Sequence, residues 1–125
     1  MITVIKSPFV QYKLTILRNK KTSNTVFRQT MNEISYLIAS DVLQYVPFKK
    51  QTIETPLKKM SGTALGQPII LVPILRAGLG LLEGFAKFLP EAEKGHIGLY
   101  RDEQTYEPVE YLFKLPRVKN KKVLI

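Results

Sequence analysis

The chain has 125 residues, 45% of them apolar and 23% charged, a size and composition that suit one compact domain around one hydrophobic core. Zero cysteines exclude disulfides, thiolate metal sites and cysteine nucleophiles, and the single histidine, His96, leaves almost no material for a histidine metal cluster. Lys and Arg outnumber Asp and Glu by 19 to 10, a net charge of +9 that calls for an anionic partner: nucleic acid, a membrane surface or a small ligand.

The excess is N-terminal. Residues 1–62 hold ten basic and three acidic residues, residues 63–125 nine and seven, and all seven glycines stand at or after Gly62. That contrast predicts a mainly helical part, 1–67, feeding an α/β part with tight turns. Pro8 opens a stretch to Arg18 in which Val10, Leu14 and Leu17 recur at helical spacing, a short first helix. After a polar loop, Ser23, Asn24 or Thr25 can cap a second helix whose buried stripe is read as Phe27, Met31, Ile34, Ile38 and Val42, stopped by Pro47. Between Lys49 and Gln67 the pattern weakens. Residues 51–57 fit a short edge strand, and Met60 to Leu65 a brief helical turn.

Ile69 to Leu75 is a continuous apolar run too short for a membrane and rich in β-branched residues, the signature of a strand covered on both faces in a parallel sheet. Arg76-Ala77-Gly78-Leu79-Gly80 follows at once, and then Leu81, Leu82, Phe85, Phe88 and Leu89 at helical spacing up to Pro90. Strand, glycine turn and helix start point free amides and a positive helix end at an anion. Glu91 and Glu93 are read as a solvated loop. A second strand, His96 to Tyr100, delivers Arg101 to the same carboxyl edge of the sheet. Tyr106 to Pro116 alternates partially between prolines, as an edge hairpin does. Residues 121–125 begin a further apolar strand without its turn or covering helix, which predicts a chain truncated within the sheet.

Val72-Pro73-Ile74-Leu75-Arg76-Ala77-Gly78-Leu79-Gly80, followed by Leu99-Tyr100-Arg101-Asp102-Glu103-Gln104-Thr105-Tyr106-Glu107-Pro108-Val109 and Lys114-Leu115-Pro116, resembles the uracil phosphoribosyltransferase family, with a looser match through Thr25-Val26-Phe27-Arg28. The resemblance implies an α/β fold with a parallel sheet flanked by helices: 1–67 as N-terminal part, 68–101 as first strands and diphosphate loop, 102–116 as a projecting β-arm that packs on a neighbouring subunit, and 117–125 as the start of the next strand. It implies a cytoplasmic pentosyltransferase of pyrimidine salvage that joins uracil to 5-phosphoribosyl diphosphate, giving uridine monophosphate and diphosphate. It assigns Arg76, Ala77, Gly78 and Arg101 to the sugar donor, and brings magnesium in on the donor's diphosphate. It names no catalytic residue and no metal ligand. In such loops a non-proline cis peptide is common. Some members answer to nucleotide effectors such as GTP, a property left open here.

The family continues beyond the last strand with an acidic residue, a Thr-Gly-Gly-Ser turn for the 5-phosphate and a uracil-binding segment. These are absent from the 125 residues, which by themselves are expected to be inactive. On spacing alone Arg76 is equally open to an ion pair with Glu83. Arg101, beside Asp102 and Glu103, is more often a surface ion pair. His96 is read as structural. Two other classes compete: an RNA-binding regulator on the same scaffold, motivated by the charge, and a non-catalytic dimerising subunit. The lysines show no recognisable RNA-binding motif, so nucleic acid is not the expected partner, and no membrane partner is expected.

Overall fold

A computed structural model describes residues 2–125. Helix α1 (Pro8–Arg18) starts with proline in its first turn, where a missing amide costs nothing. Helix α2 (Asn24–Leu43) is capped by Ser23, whose hydroxyl accepts from the Val26 amide. The two helices are tied by an ion pair between Lys13 and Glu33 at 2.7 Å. This hydrogen bond, with a second from Gln29, holds the Glu33 carboxyl below its ordinary value.

The stripe read in the sequence lies on the buried side of α2, with Ile34 buried and Met31, Ile38 and Val42 half-buried, but small residues beside it are the more deeply covered. Thr30, Ile34, Ser35 and Ala39 are buried, while Phe27 remains 41% exposed. The reason lies in helix α3 (Leu79–Phe88), whose Gly80 and Gly84, four apart, bring its backbone against α2. A Cβ on Gly84 would stand 2.0 Å from Ser35 Oγ and 2.6 Å from the Ser35 carbonyl carbon. Small residues on both helices therefore make the seam, and Asn32 donates across it to Glu83 at 2.8 Å.

From Phe48 to Leu65 the chain is a hairpin. Strand β1 (Phe48–Glu54) runs antiparallel to β2 (Lys59–Leu65), in register from Phe48 opposite Leu65 to Glu54 opposite Lys59. The helical turn expected at Met60 to Leu65 is corrected to strand, and the mainly helical part thus ends at Leu43. Cross-strand pairing outweighed a weak local pattern here, as strands routinely depend on partners distant in sequence. Thr55 closes the tip by accepting from the amides of Leu57 and Lys58, and the Gly66 amide donates to Pro47 at the base.

The apolar run breaks into β3 (Ile69–Leu71) and β4 (Ile74–Leu75), because Pro73 has no amide to give the ladder. The parallel ladders are β5 (Glu93–Lys94), β3 and β8 (Lys122–Leu124) in one half, and β4 with β6 (His96–Arg101) in the other. Bonds from Gly95 to Leu71, Ile97 to Pro73 and Val72 to Leu124, at 2.8–3.3 Å, carry the halves into one another. Glu93, read as loop, is thus in the sheet, and its carboxylate pairs with Lys121.

Strand β7 (Pro108–Lys114) pairs antiparallel along the whole of β6. The segment 102–116 is accordingly the sheet's edge rather than a projecting arm. The element that projects is β1–β2, exposed along both strands except where Gly62, Ala64 and Leu65 near its base are partly covered. One core lies between sheet and helices: Val46, Ile69, Leu71 and Leu89, with Leu82, Phe85 and Leu124 packed on it. Burying each such side chain contributes about 1.5–3 kcal/mol. Among the described residues no helix is long and apolar enough to cross a membrane.

Candidate functional site

Strands β4 and β6 are parallel neighbours, with Ile74 opposite Ile97 and Leu75 opposite Gly98. Arg76 follows the last residue of β4, and Arg101 is the last residue of β6. Since parallel neighbours run about 4.8 Å apart, both arginines stand on one carboxyl edge, the side on which open parallel sheets take ligands. The peptide bond from Leu75 to Arg76 is cis, at the loop where the resemblance placed one.

The turn after β4 is tighter than the sequence suggested. Gly78 donates to the Ile74 carbonyl at 2.8 Å, Leu79 to Arg76 at 3.2 Å, Gly80 to Ala77 at 3.2 Å and Leu81 to Gly78 at 3.1 Å. The expected free amides at the helix start are therefore spent on bonds between residues three or four apart that tighten the first turn. The turn's backbone donors without an internal partner are the amides of Arg76 and Ala77, one residue earlier. Gly78 itself is a space requirement. A Cβ there would sit 2.7 Å from the Ile74 nitrogen, 2.8 Å from its oxygen and 3.1 Å from the Pro73 Cα.

Both arginines are exposed, and neither has a carboxylate partner among the described residues. Glu83, the alternative partner for Arg76, instead accepts from Asn32. Asp102, the alternative for Arg101, turns the other way: one carboxylate oxygen accepts from the Gln104 amide at 2.9 Å, the Thr105 amide at 2.8 Å and the Thr105 hydroxyl at 3.1 Å. Those bonds, the Thr105 amide foremost, hold the Asp102 carboxyl below its ordinary value. Two guanidinium groups without counter-charges, plus two backbone amides, can grip an anion with several oxygens through paired bonds.

No group of three or more His, Cys, Asp or Glu gathers among the described residues. His96 opens β6 opposite Lys114, away from Arg101. Behind the turn, a cavity of about 570 Å³ runs between α2, α3 and β8, lined by Ile38, Val42, Ile74, Leu81 and Leu124 among others. Its one charged lining residue is Lys122, and Gly78 of the turn stands in its wall. Sequence reasoning missed the spatial role of Gly78 and the bonding of Asp102, whose signal was the Asp-x-x-Thr spacing at 102–105.

The description "Uracil phosphoribosyltransferase" belongs to the family model that matches residues 4–125. Curated proteins of that name from Levilactobacillus brevis and Lactiplantibacillus plantarum are 48% and 49% identical over 114 residues, covering 90% of this chain and 54% of each relative. The chain thus spans about half the length of these relatives. A solved structure of an Aquifex aeolicus protein superposes with a TM-score of 0.89 at 31% identity, covering 98% of this chain and 60% of that one.

Proposed function

The chain belongs to the uracil phosphoribosyltransferase family, and from that premise we propose that it forms the diphosphate-binding part of an enzyme joining uracil to 5-phosphoribosyl diphosphate. The observation that carries this reading is the pair Arg76 and Arg101, together at the carboxyl ends of adjacent parallel strands and without a carboxylate partner among the described residues. In the reaction a ring nitrogen of uracil forms a bond to C1 of the ribose and gives up its proton to the departing diphosphate or to water, and the bond from C1 to the diphosphate oxygen breaks. The electron pair leaves with the diphosphate. Both guanidinium groups, with the amides of Arg76 and Ala77, would bind that leaving group and offset the charge it gains, while Gly78 keeps the turn closed enough to present them. Magnesium would enter on the diphosphate, adding positive charge there. The same reading fits a cytoplasmic protein.

Self-association is part of the proposal, and its place moves from 102–116 to the projecting hairpin. An isolated two-stranded hairpin is marginal in water. β1–β2 also exposes Phe48 and Ile53 at 53% and 41%, apolar surface suited to a second copy of this chain.

Calorimetric titration with pyrophosphate tests the site. The chain should bind it, and Arg76→Ala and Arg101→Ala should each weaken binding about tenfold, equivalent to about 1.4 kcal/mol. Unchanged affinity in both variants would remove the site from this edge.

A further inference from the structure

We infer that Asp102 is a positioning residue for the anion edge: its carboxylate locks the turn between β6 and β7 and so fixes the direction in which Arg101 leaves the sheet. This rests on the reading of Arg101 as a diphosphate ligand. Asp102 commits one carboxylate oxygen, its amide and its carbonyl to that turn. One carboxylate oxygen takes three donors, from Gln104 and Thr105. Its amide donates to the Glu107 carbonyl and its carbonyl accepts from the Tyr106 amide, both at 3.0 Å. The Thr105 hydroxyl extends the set by accepting from the Glu107 amide at 3.3 Å. Tyr106 takes a positive φ of 60°, a conformation that a non-glycine residue adopts where its surroundings hold it.

Electrostatics alone argues against an acid at this place. A carboxylate one residue from an anion-binding arginine repels the anion and reduces the positive field at the edge. Its presence is accounted for by what the oxygen accepts, and an exposed aspartate that bonds its own backbone two and three residues on is an effective turn lock. The charge and the acceptor therefore act in opposite directions on diphosphate binding, and two substitutions separate them. Asp102→Asn keeps an acceptor oxygen in the same position and removes the charge. Asp102→Ala removes both.

The experiment is pyrophosphate titration of the full 125-residue chain and these variants, with backbone ¹⁵N relaxation at Arg101. Asp102→Ala should weaken binding about tenfold and Asp102→Asn should bind at least as tightly as the unmodified chain. With Arg101→Ala already in place, Asp102→Ala should cost nothing more, a non-additivity that general destabilisation does not produce. Tighter binding in both single variants, or no change in either, would overturn the inference by making Asp102 a bystander charge. If the unmodified chain binds no pyrophosphate, the reading of the arginines fails on its own. The positioning claim is then decided by relaxation. An order parameter at Arg101 that falls from about 0.85 toward 0.6 in Asp102→Ala, and stays in Asp102→Asn, sustains it. Unchanged order in both overturns it.

Discussion

Gly78 shows how much of a site can depend on an atom that is missing. Its neighbours Ile74 and Pro73 leave 2.7–3.1 Å where a Cβ would go, and the atoms in the way are backbone, which cannot swing aside. Gly78→Ala should therefore open the turn, destabilise the chain by about 1–3 kcal/mol and weaken pyrophosphate binding about tenfold. A thermal melt and a titration check the two effects separately. The placement of Arg76 and Arg101 on one sheet edge was legible in the sequence because each stands at the end of an apolar strand. The space at Gly78 and the bonds of Asp102 were not, since both depend on where Ile74 and Thr105 fold back. Nor could spacing show that Glu83 would accept from Asn32, 51 residues away, rather than pair with Arg76.

At the level of elements, periodicity located all three helices, and the apolar run located the central strands. It found the buried face of α2 but not the small residues that seat most deeply on it. The stripe was chosen by hydrophobicity, whereas the seam with α3 is set by close approach at Gly84, which requires a residue as small as Ser35. Alanine ordinarily improves a helical glycine position by about 1 kcal/mol. Gly84→Ala should nonetheless lower Tm by several degrees, because its Cβ would meet Ser35 Oγ at 2.0 Å and Ser35 and Tyr36 backbone within 2.7 Å. Gly80→Ala, which meets the flexible Met31 Cγ at 3.1 Å, should be near neutral. Paired melting curves of the two variants check the contrast. The hairpin at 48–65 was read only in part, as an edge strand over 51–57, for a related reason. Its strands face solvent on both sides, so neither alternation nor an apolar run marks them.

For the whole molecule, the fold class and family were legible because two ordered motifs span the diphosphate loop and the second strand. The net charge of +9 was the least informative signal. It left nucleic acid, a membrane surface and a small ligand open as partners, and in the structure the basic residues are spread over helices, hairpin and sheet, with Arg76 and Arg101 brought together at one sheet edge. The chain covers 54% of its curated relatives, so binding and turnover should separate. The 125 residues alone should bind pyrophosphate yet form no uridine monophosphate above background from uracil and the sugar donor. A chromatographic assay for the nucleotide checks this, and measurable turnover would show that the chain carries a complete site.

The hairpin meets the rest of the domain at its base, where Gly66 bonds Pro47 and Leu65 reaches the core. The arginine edge is built from other strands at the opposite, carboxyl end of β4 and β6. Under the proposed function, mutations along β1 and β2 would alter self-association while leaving anion binding at Arg76 and Arg101 untouched. Assembly and ligand binding would then be free to drift at different rates under selection.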